Sequence, residues 1–477
     1  MASIVFVQRL WYEYPGTAIL SSFLKKNGHM VRVVIGESSK EIIGKLSEGE
    51  VVAFSIMTGM HHWALKVAND IKGSLKSLTV FGGAHPTYFP DIIQERGVDV
   101  ICRGEGEHAL LELADAVDSN SDITGIKNLW IKRDGVVYKN PLRPLIEDLD
   151  SLPFQDREIY YHDYPFLKNN SHKIFIAGRG CPFECTFCFN ERLKDMYKNN
   201  GRFVRFRSPL DVIEEIKEVR DRYGIETVFF HDDIFVLNHK WLREFLNRYR
   251  EDVSIPFYCA ARADTLREDT VKLLSQGGCK CISFAIESGN EEIRNEVLGK
   301  RITNQQIIES ARLLKKYGIK LTTFNMLGIP GETIKDAFET VNLNIKIGTD
   351  YPRCSFLTPY PGTKIAEYAA QYGYMESTIN TIVASSQQSD SIIKMADRNR
   401  MINLHLFFQT AILFPIFLPF IKYLIKFPPN IIFRIWWSLV YFFVFTVGEG
   451  RKIKEMFIFT VKSFRSLYGR EQGITNS

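Results

Sequence analysis

The chain is organised around one stretch, Gly178-Arg-Gly-Cys-Pro-Phe-Glu-Cys-Thr-Phe-Cys-Phe189, which directly follows the apolar run 173–177. Its cysteines, Cys181, Cys185 and Cys188, have a C-x3-C-x2-C spacing. A [4Fe-4S] cluster normally takes four thiolates, so a compact group of three leaves one iron open for a ligand that is not protein. A structural zinc site needs a fourth Cys or His at short spacing, and residues 190–230 contain neither. The spacing therefore favours a cluster that accepts an outside ligand, with zinc or a simple electron-transfer cluster as the alternatives.

This spacing, with Phe187 directly before the last cysteine, resembles the signature of the radical S-adenosylmethionine (SAM) enzymes. In that family the open iron chelates the amino and carboxylate groups of SAM, and one electron from the cluster cleaves SAM to a 5'-deoxyadenosyl radical. The resemblance implies a [4Fe-4S] cluster on the three cysteines, SAM as a second cofactor and Phe187 as a SAM contact. It also implies a single-electron donor, such as flavodoxin or ferredoxin, as a partner.

Length and cysteine usage set broad limits. The chain of 477 residues is long enough for two or three domains. Eight cysteines, three of them clustered, indicate a reducing compartment and metal binding rather than a disulfide framework. Residues 1–9 show no basic segment followed by a long apolar one, so we expect no secretory signal and a cytoplasmic protein.

Residues 1–138 are predicted to form a Rossmann-like α/β domain, because apolar runs alternate with segments of helical spacing. Such alternation implies a parallel, doubly wound sheet that binds ligands at the carboxyl ends of its strands. Residues 128–138 resemble a hairpin around Asp134-Gly135, a favoured turn pair. The predicted strands are 3–7, 31–35, 51–56, 78–81 and 98–102, with helices at 17–27, 63–76 and 108–117.

Some of these strand ends resemble a known cofactor-binding pattern. Ser55 with Met57, followed by Gly82-Gly83, looks like motifs of cobalamin-binding Rossmann-like domains. The segments 82–90 and 99–107 are similar to the amino-terminal domain of cobalamin-dependent radical SAM proteins, the class B radical methyltransferase type. Glycines there would let the backbone lie against the nucleotide tail, although glycines end strands in any doubly wound fold. The implied cobalamin contacts are Ser55, Met57, Gly82, Gly83, His85 and Glu105, of which Glu105 could instead favour a helix dipole.

The family's other cobalamin motif, D-x-H-x-x-G after the first strand, is missing. Glu13 of Trp11-Tyr-Glu-Tyr-Pro-Gly16 stands where the cobalt-ligating histidine would be, so we expect cobalt to lack a histidine lower ligand. His61, His62 and His85 fall on different predicted loops, without the convergent partners that a metal site needs. We expect His85 in the pocket wall or against the phosphate tail, and His61 and His62 at the start of a helix, with an approach of His61 or His62 to the cobalt as the alternative.

Residues 171–370 are predicted to form a second domain, joined to the first by a proline-rich linker at 139–170. Six strands alternate with helices, which indicates a barrel of parallel strands with its chemistry at their carboxyl ends. The resemblance implies the partial (βα)6, TIM-type barrel of the radical SAM family. The predicted strands are 174–177, 227–231, 257–261, 281–285, 320–326 and 353–357, and the helices are 209–223, 240–250, 267–276, 304–317 and 333–346.

Polar groups follow five of these six strands. An arginine such as Arg262 can pair with a carboxylate through its planar fork, Glu287 and Ser288 can hydrogen-bond a ribose, and the loop 328–331 exposes backbone to an adenine. For Arg262 and Glu287 a structural salt bridge is the alternative, and no residue is assigned to proton or hydrogen-atom transfer. Besides Phe187, the SAM contacts that the resemblance supports are Asp233 (preferred over Asp232), Arg262, Glu287, Ser288, Gly328 and Gly331.

The remaining cysteines do not predict a second cluster. Cys259, Cys281 and Cys354 fall inside predicted strands, where a free cysteine behaves as a small hydrophobe. No cysteine follows Cys354, so we expect no auxiliary cluster in the carboxyl-terminal part of the chain.

The alternation stops at residue 371, and residues 371–477 are predicted to be a helical, hydrophobic extension. A spanning helix needs about 20 apolar residues. The run 404–421 is interrupted by Pro415 and Pro419, and the run 435–447 is too short. A polar stretch at 377–388 precedes them, and a basic amphipathic stretch at 456–467 follows.

The charge of this extension favours a membrane partner. Residues 398–477 carry eleven Lys or Arg against three Glu and no Asp, a local charge of +8 in a chain of net charge +5. Because aromatic and apolar runs are interleaved with the cations, a membrane surface fits better than nucleic acid. We favour peripheral association with the inner membrane face, with a soluble cap or dimer surface and a true span as alternatives. A lipid or isoprenoid substrate would suit such a location.

These features lead to one main hypothesis and two rivals. In the main one, the chain is a radical SAM enzyme that uses a [4Fe-4S] cluster and cobalamin to methylate an unactivated carbon of a small-molecule or lipid substrate. The first rival keeps the cofactors but closes a ring or oxidises the substrate. The second rival is a non-enzymatic, membrane-docked redox or cobalamin sensor.

The cysteine motif gives the first test. Cys181→Ala, Cys185→Ala and Cys188→Ala should each remove iron and abolish SAM cleavage, because each removes one cluster ligand. Cys354→Ala is the matched control and should leave both nearly intact. Iron content and 5'-deoxyadenosine formation are the measurements, and full iron content in Cys185→Ala would contradict the cluster assignment.

Overall fold

The first domain of the computed structural model contains a seven-stranded sheet. The structure describes residues 1–375 and 391–448. The strands are β1 Ser3–Gln8, β2 Met30–Ile35, β3 Val51–Ser55, β4 Leu78–Gly82, β5 Val100–Cys102, β6 Leu129–Arg133 and β7 Val136–Lys139, in the order β2-β1-β3-β4-β5-β6-β7. The helices are α1 Pro15–Lys26, α2 Ser39–Ile43, α3 His61–Ser74, α4 Ala84–Tyr88 and α5 Glu107–Asp118. The strands β1 to β5 are parallel, and β6 and β7 form the predicted hairpin.

Both faces of this sheet are covered by helices. Phe6 and Ala53 belong to the core on the side of α1 and α5, whereas their neighbours Val5 and Val52 belong to the core on the side of α3. Successive strand residues point to opposite faces, so a sheet that is covered on both sides needs continuous apolar runs. This explains the unbroken hydrophobic strands of the sequence and confirms the Rossmann-like architecture.

The segment between the two sheets carries α6 Glu158–Tyr161 and α7 Pro165–Lys168 and is packed against both domains. Tyr160 and Tyr161 are buried in the first domain's core. Buried Arg157 forms an ion pair with Glu13 (Nη1 to Oε2, 3.2 Å) and lies 4.6 Å from the centre of the Phe175 ring in the second domain. The segment predicted as a linker therefore forms a wedge between the domains.

The second domain is an open barrel of six parallel strands. Its main strands are β8 His172–Phe175, β11 Thr227–Phe230, β12 Phe257–Ala260, β13 Cys279–Glu287, β14 Lys320–Leu327 and β15 Tyr351–Phe356, in the order β15-β14-β13-β12-β11-β8. A short antiparallel pair, β9 Gly178–Arg179 and β10 Arg205–Phe206, follows β8. The helices are α8 Phe189–Met196, α9 Pro209–Tyr223, α10 His239–Asp252, α11 Glu268–Gln276, α12 Asn304–Lys316, α13 Ile334–Ile347 and α14 Lys364–Gln371. Since β8 and β15 are the two edges, the sheet does not close, which confirms the partial barrel.

The carboxyl-terminal extension is helical, as predicted, but its first helix belongs to the core. The helices are α15 Arg398–Leu413, α16 Leu418–Leu424 and α17 Ile431–Gly448. Leu404 and Phe408 of α15 are completely buried with residues of α13 and β15, and His405 Nε2 lies 3.2 Å from the backbone oxygen of Cys354. The first part of the apolar run 404–421 is therefore a structural cap on the barrel.

The prediction that the second apolar run is too short for a span is wrong. α17 has 18 residues with a mean hydropathy of 1.8, of which 22% are buried, so it is long and apolar enough to cross a membrane by length and composition alone. The sequence estimate began at residue 435 because Arg434 interrupts the apolar run, whereas the helix begins at Ile431. The predicted stretches 377–388 and 456–467 lie outside the described residues.

The buried cap can be tested by mutation. Leu404→Ala should lower the free energy of unfolding by about 2 to 5 kcal/mol, because it leaves a cavity between α15 and the barrel. Leu439→Ala is the control, since Leu439 on α17 is 64% exposed, and its effect should stay within about 0.5 kcal/mol. Denaturant unfolding followed by circular dichroism measures both, and equal stabilities would contradict the cap.

Candidate active site

The three cysteines lie on one loop between β9 and α8, and this loop is fixed at its start, centre and end. β9 pairs with β10, placing Arg179 opposite Arg205. In the centre, Thr186 donates from its backbone nitrogen to Leu298 O (3.1 Å) and from its hydroxyl to Val297 O (2.8 Å). At the end, Cys188 is the residue before the first turn of α8. The loop conformation is thus set by contacts that do not involve the thiols.

The thiols suit a cluster better than a single ion. All three are free and partly accessible. Burial is the main cause that raises the pKa of Cys181 and of Cys188, and the nearby charges of Asp233 and Cys185 raise both further. Within residues 1–375 and 391–448, no three His, Cys, Asp or Glu groups converge closely enough to hold one metal ion. A cubane cluster binds each thiolate through a different iron, so its ligands need not meet at one point.

Arg262 stands beside this loop. Its Nη1 lies 3.7 Å from Cys185 Sγ, and its guanidinium lies 3.8 Å from the centre of the Phe183 ring. It also forms the structural ion pair with Asp264 that the sequence left open (Nε to Oδ1, 2.8 Å). Phe187 is partly buried behind the loop, in a cluster with Leu298 and other apolar side chains.

Asp232 and Asp233, which follow β11, are placed differently. Asp232 is buried, and its carboxylate accepts hydrogen bonds from the backbone nitrogens of Ala177 (3.1 Å) and Gly178 (2.6 Å). Burial raises the pKa of Asp232 to about 7. Asp233 is exposed and lines the cavity described below, together with Asn190. Asp232 therefore anchors the chain just before the cysteine loop, and Asp233 is the one at the cavity.

Glu287 and Ser288 end β13 in a buried, unusual conformation. Glu287 has a positive φ of 65°, which is rare for a residue with a side chain. Burial raises the pKa of its carboxyl, while the charge of Lys300, 3.3 Å away, opposes that shift. Ser288 is fully buried, and its hydroxyl accepts a hydrogen bond from the backbone nitrogen of Asn290 (3.2 Å).

Glu332 holds the glycine loop after β14, and the sequence analysis missed it. Its Oε2 accepts hydrogen bonds from the backbone nitrogens of Gly328 (2.7 Å) and Ile329 (3.2 Å). Gly328 and Gly331 have positive φ values of 71° and 82°, which favour glycine. Burial raises the pKa of Glu332 to about 8. The signal was an acid directly after a Pro-Gly turn that follows a strand.

A cavity of about 500 Å³ lies between the carboxyl ends of the first sheet and the cysteine-loop side of the second domain. Its first-domain wall includes Ser55, Gly82 and Gly83, and its second-domain wall includes His231 and Asp233. A second cavity of about 310 Å³ shares Ser55 and Gly83 and adds Met57. The predicted cobalamin contacts Ser55, Met57, Gly82 and Gly83 are thus brought together.

The larger cavity suits cobalamin. It extends between the sheet and helices α1 and α5, where apolar Phe6, Ala53 and Leu110 line a slot that could take a flat organic base. At Gly83, where φ is +90°, a Cβ would come within 2.9 Å of the Ile56 backbone oxygen, so only glycine fits there without displacing the backbone. Apolar walls and one bare backbone turn fit the nucleotide tail and the corrin edge of that cofactor.

The predictions for the histidines need correction. The rings of His61, His62 and His85 do not lie apart, because His61 stacks at 3.9 Å on His62 and at 4.1 Å on His85. His85 is buried and hydrogen-bonded to the Thr58 hydroxyl (3.0 Å), and it lines neither of these two cavities. Its cobalamin contact remains a prediction. Burial and the neighbouring rings lower the pKa of His61 to about 4 and of His85 to about 3, which keeps both neutral.

Glu13, which stands where a cobalt-ligating histidine would be expected, lines neither cavity. Glu13 is buried against Arg157 and accepts a hydrogen bond from the Tyr161 hydroxyl (3.1 Å). Of the residues that line the two cavities, His231 is the only histidine, and it belongs to the second domain. The expectation of a cobalt without a histidine lower ligand from the first domain remains a prediction.

Glu105 belongs to a buried ion-pair cluster that joins the domains. It pairs with Arg179 (Oε1 to Nη1, 2.8 Å) and with Arg205 (Oε1 to Nη1, 3.0 Å), and Glu107 pairs with the other arm of Arg179 (Oε1 to Nη2, 2.6 Å). Glu105 also accepts a hydrogen bond from the backbone nitrogen of Ile146 (2.8 Å). Glu105 also lines the cavity, with both carboxylate oxygens engaged by protein groups, and its cobalamin contact remains a prediction. The sequence analysis did not single out Arg179, although it stands two residues before Cys181.

Two family patterns match the chain. Residues 175–343 match the radical SAM superfamily, and residues 12–114 match the B12 binding domain. An uncharacterized methyltransferase of Pyrococcus horikoshii is 31% identical over 365 residues, which cover 74% of this chain and 78% of that protein. An anaerobic magnesium-protoporphyrin IX monomethyl ester cyclase of Rubrivivax gelatinosus is 26% identical over 309 residues, 62% of this chain and 54% of that protein.

The fold also resembles a solved structure. The radical SAM methyltransferase TsrM of Kitasatospora setae, determined with cobalamin and a [4Fe-4S] cluster bound, is similar with a TM-score of 0.63. The identity is 17%, and the match covers 79% of this chain and 80% of TsrM. At this identity the likeness concerns the fold alone.

The ion-pair cluster provides a test of how the domains are held. Arg179→Ala should lower the free energy of unfolding by about 3 kcal/mol, because it leaves buried Glu107 without its cation and partly buried Glu105 with Arg205 alone. Arg202→Ala is the control, since Arg202 pairs with Glu147 at the surface and its loss should not change stability measurably. Thermal unfolding of the cofactor-free chains is the measurement, and equal midpoints for the two variants would contradict a joining role.

Proposed function

Because the chain belongs to the cobalamin-binding radical SAM enzymes, we propose that it methylates an unactivated carbon of its substrate. Its cofactors are a [4Fe-4S] cluster, SAM and cobalamin. When bound, the cluster and SAM would supply a 5'-deoxyadenosyl radical that abstracts a hydrogen atom from the substrate, and cobalamin would supply the methyl group. The contribution of the chain is to hold these groups around one water-poor space and to place the substrate carbon between them.

The shared cavity is the observation that supports this proposal. Ser55, Gly82 and Gly83 line it from the B12-binding domain, and Asn190 and Asp233 line it from the barrel. Asn190 is two residues after the last cluster cysteine. Cofactors held by the two domains would therefore face each other across a single space, as transfer between them requires.

We propose these roles for the site residues. Cys181, Cys185 and Cys188 hold the cluster. Arg262, beside Cys185 Sγ, would meet the SAM carboxylate, since a guanidinium pairs with carboxylates through two parallel hydrogen bonds. The remaining proposed SAM contacts are Phe187, Asp233, Glu287, Ser288, Gly328 and Gly331, and the proposed cobalamin contacts are Ser55, Met57, Gly82 and Gly83.

We also propose a domain division and a cellular setting. Residues 1–138 would form the cobalamin-binding domain, and residues 139–170 would connect it to the barrel of residues 171–370. Residues 371–477 would form an extension whose first helix covers the barrel. We propose a cytoplasmic enzyme, peripheral on the inner membrane face, that receives electrons from a flavodoxin or ferredoxin. An apolar substrate, such as a lipid or isoprenoid, would fit the exposed apolar side chains of α17.

A second candidate is ring closure or oxidation with the same cofactors. The Rubrivivax gelatinosus relative is a cyclase, and its similarity covers 62% of this chain. The two candidates share hydrogen-atom abstraction and differ only in the fate of the substrate radical. The enzymatic relatives disfavour the sensor hypothesis.

One incubation distinguishes the two candidates. Reduced, cobalamin-loaded protein is given SAM and a lipid extract, and the lipids are analysed by mass spectrometry. We expect 5'-deoxyadenosine together with lipids that have gained one methylene, whereas lipids that have lost two hydrogens would favour the second candidate. Cys185→Ala, treated in the same way, is the control and should give neither product. Formation of 5'-deoxyadenosine by the wild-type chain without either mass change would contradict the proposed substrate class.

A further inference from the structure

The helices α16 and α17 carry an unusually large exposed apolar surface. Thirteen large apolar side chains within residues 414–447 are at least 40% exposed, whereas the rest of the described chain has eight. Ile416, Ile432 and Leu439 are 83%, 72% and 64% exposed. Isolated exposed hydrophobes are normal on soluble proteins, but their concentration on two neighbouring helices indicates a contact surface. We call residues 414–447 the α16–α17 surface.

The position of α17 on the protein excludes a spanning role in this conformation. Near its start, Phe433 packs on Phe407 of α15 at 4.9 Å, and Trp436 Nε1 donates to the Thr410 hydroxyl (2.9 Å). Near its end, Phe445 lies 4.4 Å from the guanidinium of Arg353 in β15. A helix of 18 residues is about 27 Å long, and these contacts hold it to the catalytic domain along most of that length.

A spanning orientation would therefore bring α15 and β15 into the hydrocarbon as well. Arg353 and His405 would then enter the bilayer with polar backbone from the barrel edge, at a cost that the apolar face of α17 cannot offset. A helix that keeps one face on the protein and presents the other outward can lie in the plane of an interface instead. The geometry thus favours a flat orientation.

The charge of this region identifies the partner. Residues 398–448 contain five Lys or Arg and no Asp or Glu. Lys422, Lys426 and Arg434 are exposed between the apolar side chains. Cations among exposed aromatic and aliphatic groups complement the anionic headgroups and acyl chains of a bilayer. In a symmetric dimer through this surface, the cations of one copy would face the cations of the other. Such a dimer is therefore disfavoured.

We propose that the α16–α17 surface docks flat on the anionic face of a lipid bilayer, seating the barrel on the membrane without crossing it. This inference specifies the membrane location proposed above and is independent of the reaction. The apolar side chains would enter the headgroup region to the depth of one helix radius. The basic side chains would remain at the level of the phosphates.

Vesicle binding tests the docking. The full chain, without SAM or reductant, is sedimented with phosphatidylcholine vesicles that contain or lack phosphatidylglycerol. We expect binding to the anionic vesicles that persists in high salt, because apolar contacts are not screened. Ile432→Glu with Leu439→Glu should weaken it at least tenfold. Leu210→Glu, at an exposed apolar position on α9 in the barrel domain, is the matched control and should bind as the wild type does.

Spin labels test the flat orientation. Labels at Ile432→Cys and Phe443→Cys are eleven residues apart on α17, and the native cysteines are either buried or cluster ligands. Equal, shallow depths in the bilayer are expected, whereas a depth difference of about 16 Å would show a span and overturn the proposal. A wild-type chain that stays in the supernatant with both vesicle types, or that forms dimers which Ile432→Glu with Leu439→Glu dissolves, would also overturn it.

These outcomes are separable from those of the reaction. A wild-type chain that methylates its substrate but does not bind vesicles would count against the docking alone. A wild-type chain that binds vesicles but yields neither mass change would count against the proposed substrate and leave the docking in place.

Discussion

The ion pairs that Arg179 makes with Glu105 and Glu107 join the two halves of the molecule at the point where the chemistry is placed. Arg179 is part of β9, whose pairing with β10 also brings Arg205 to Glu105. Because Arg179 stands two residues before Cys181, the cysteine loop is positioned against the first domain rather than only within its own barrel. A cavity bounded by two domains keeps a defined shape only if the domains keep one relative position, so the proposed transfer between cofactors depends on this buried pairing.

The rest of the arrangement follows from that junction. The wedge of residues 157–168 fills the gap on the other side, with the Arg157–Glu13 pair at its centre. The carboxyl ends of β3 and β4 in the first sheet and of β8 and β11 in the second lead into the shared cavity, as strand ends of open α/β sheets and barrels generally do at ligand sites. On the far side of the barrel, α15 covers β15 and α13, and α17 lies over α15 with its outer face exposed. The molecule thus has a catalytic side between the domains and a separate apolar side that we assign to the membrane.

Several differences between expectation and structure have one cause. Glu105 and His85 follow strands of the first sheet, as cofactor contacts do. Glu105, however, forms ion pairs with arginines of the other domain, and His85 is hydrogen-bonded to Thr58 and stacked on the ring of His61. Glu13 is taken up by Arg157 in the same way. In each case the partner is distant in sequence, so local pattern indicates where on a strand a residue lies but not which group it meets. Glu332 is the opposite case, because its partners are only three and four residues away and the Pro-Gly-Glu segment was a local pattern from which its role could have been predicted.

The amino-acid sequence was enough to predict the two α/β domains, the order of their strands and helices along the chain and the cluster loop, because apolar periodicity and the spacing of three cysteines are short-range information. The resemblance of these motifs to a known family then implied SAM and cobalamin as cofactors. Only the tertiary structure shows which side chains at the strand ends face the cavity. It also shows that α15 is buried in the core, whereas α17 lies at the surface. Two apolar helices of similar composition can be told apart only by what covers them, because burial depends on neighbours contributed by remote parts of the chain.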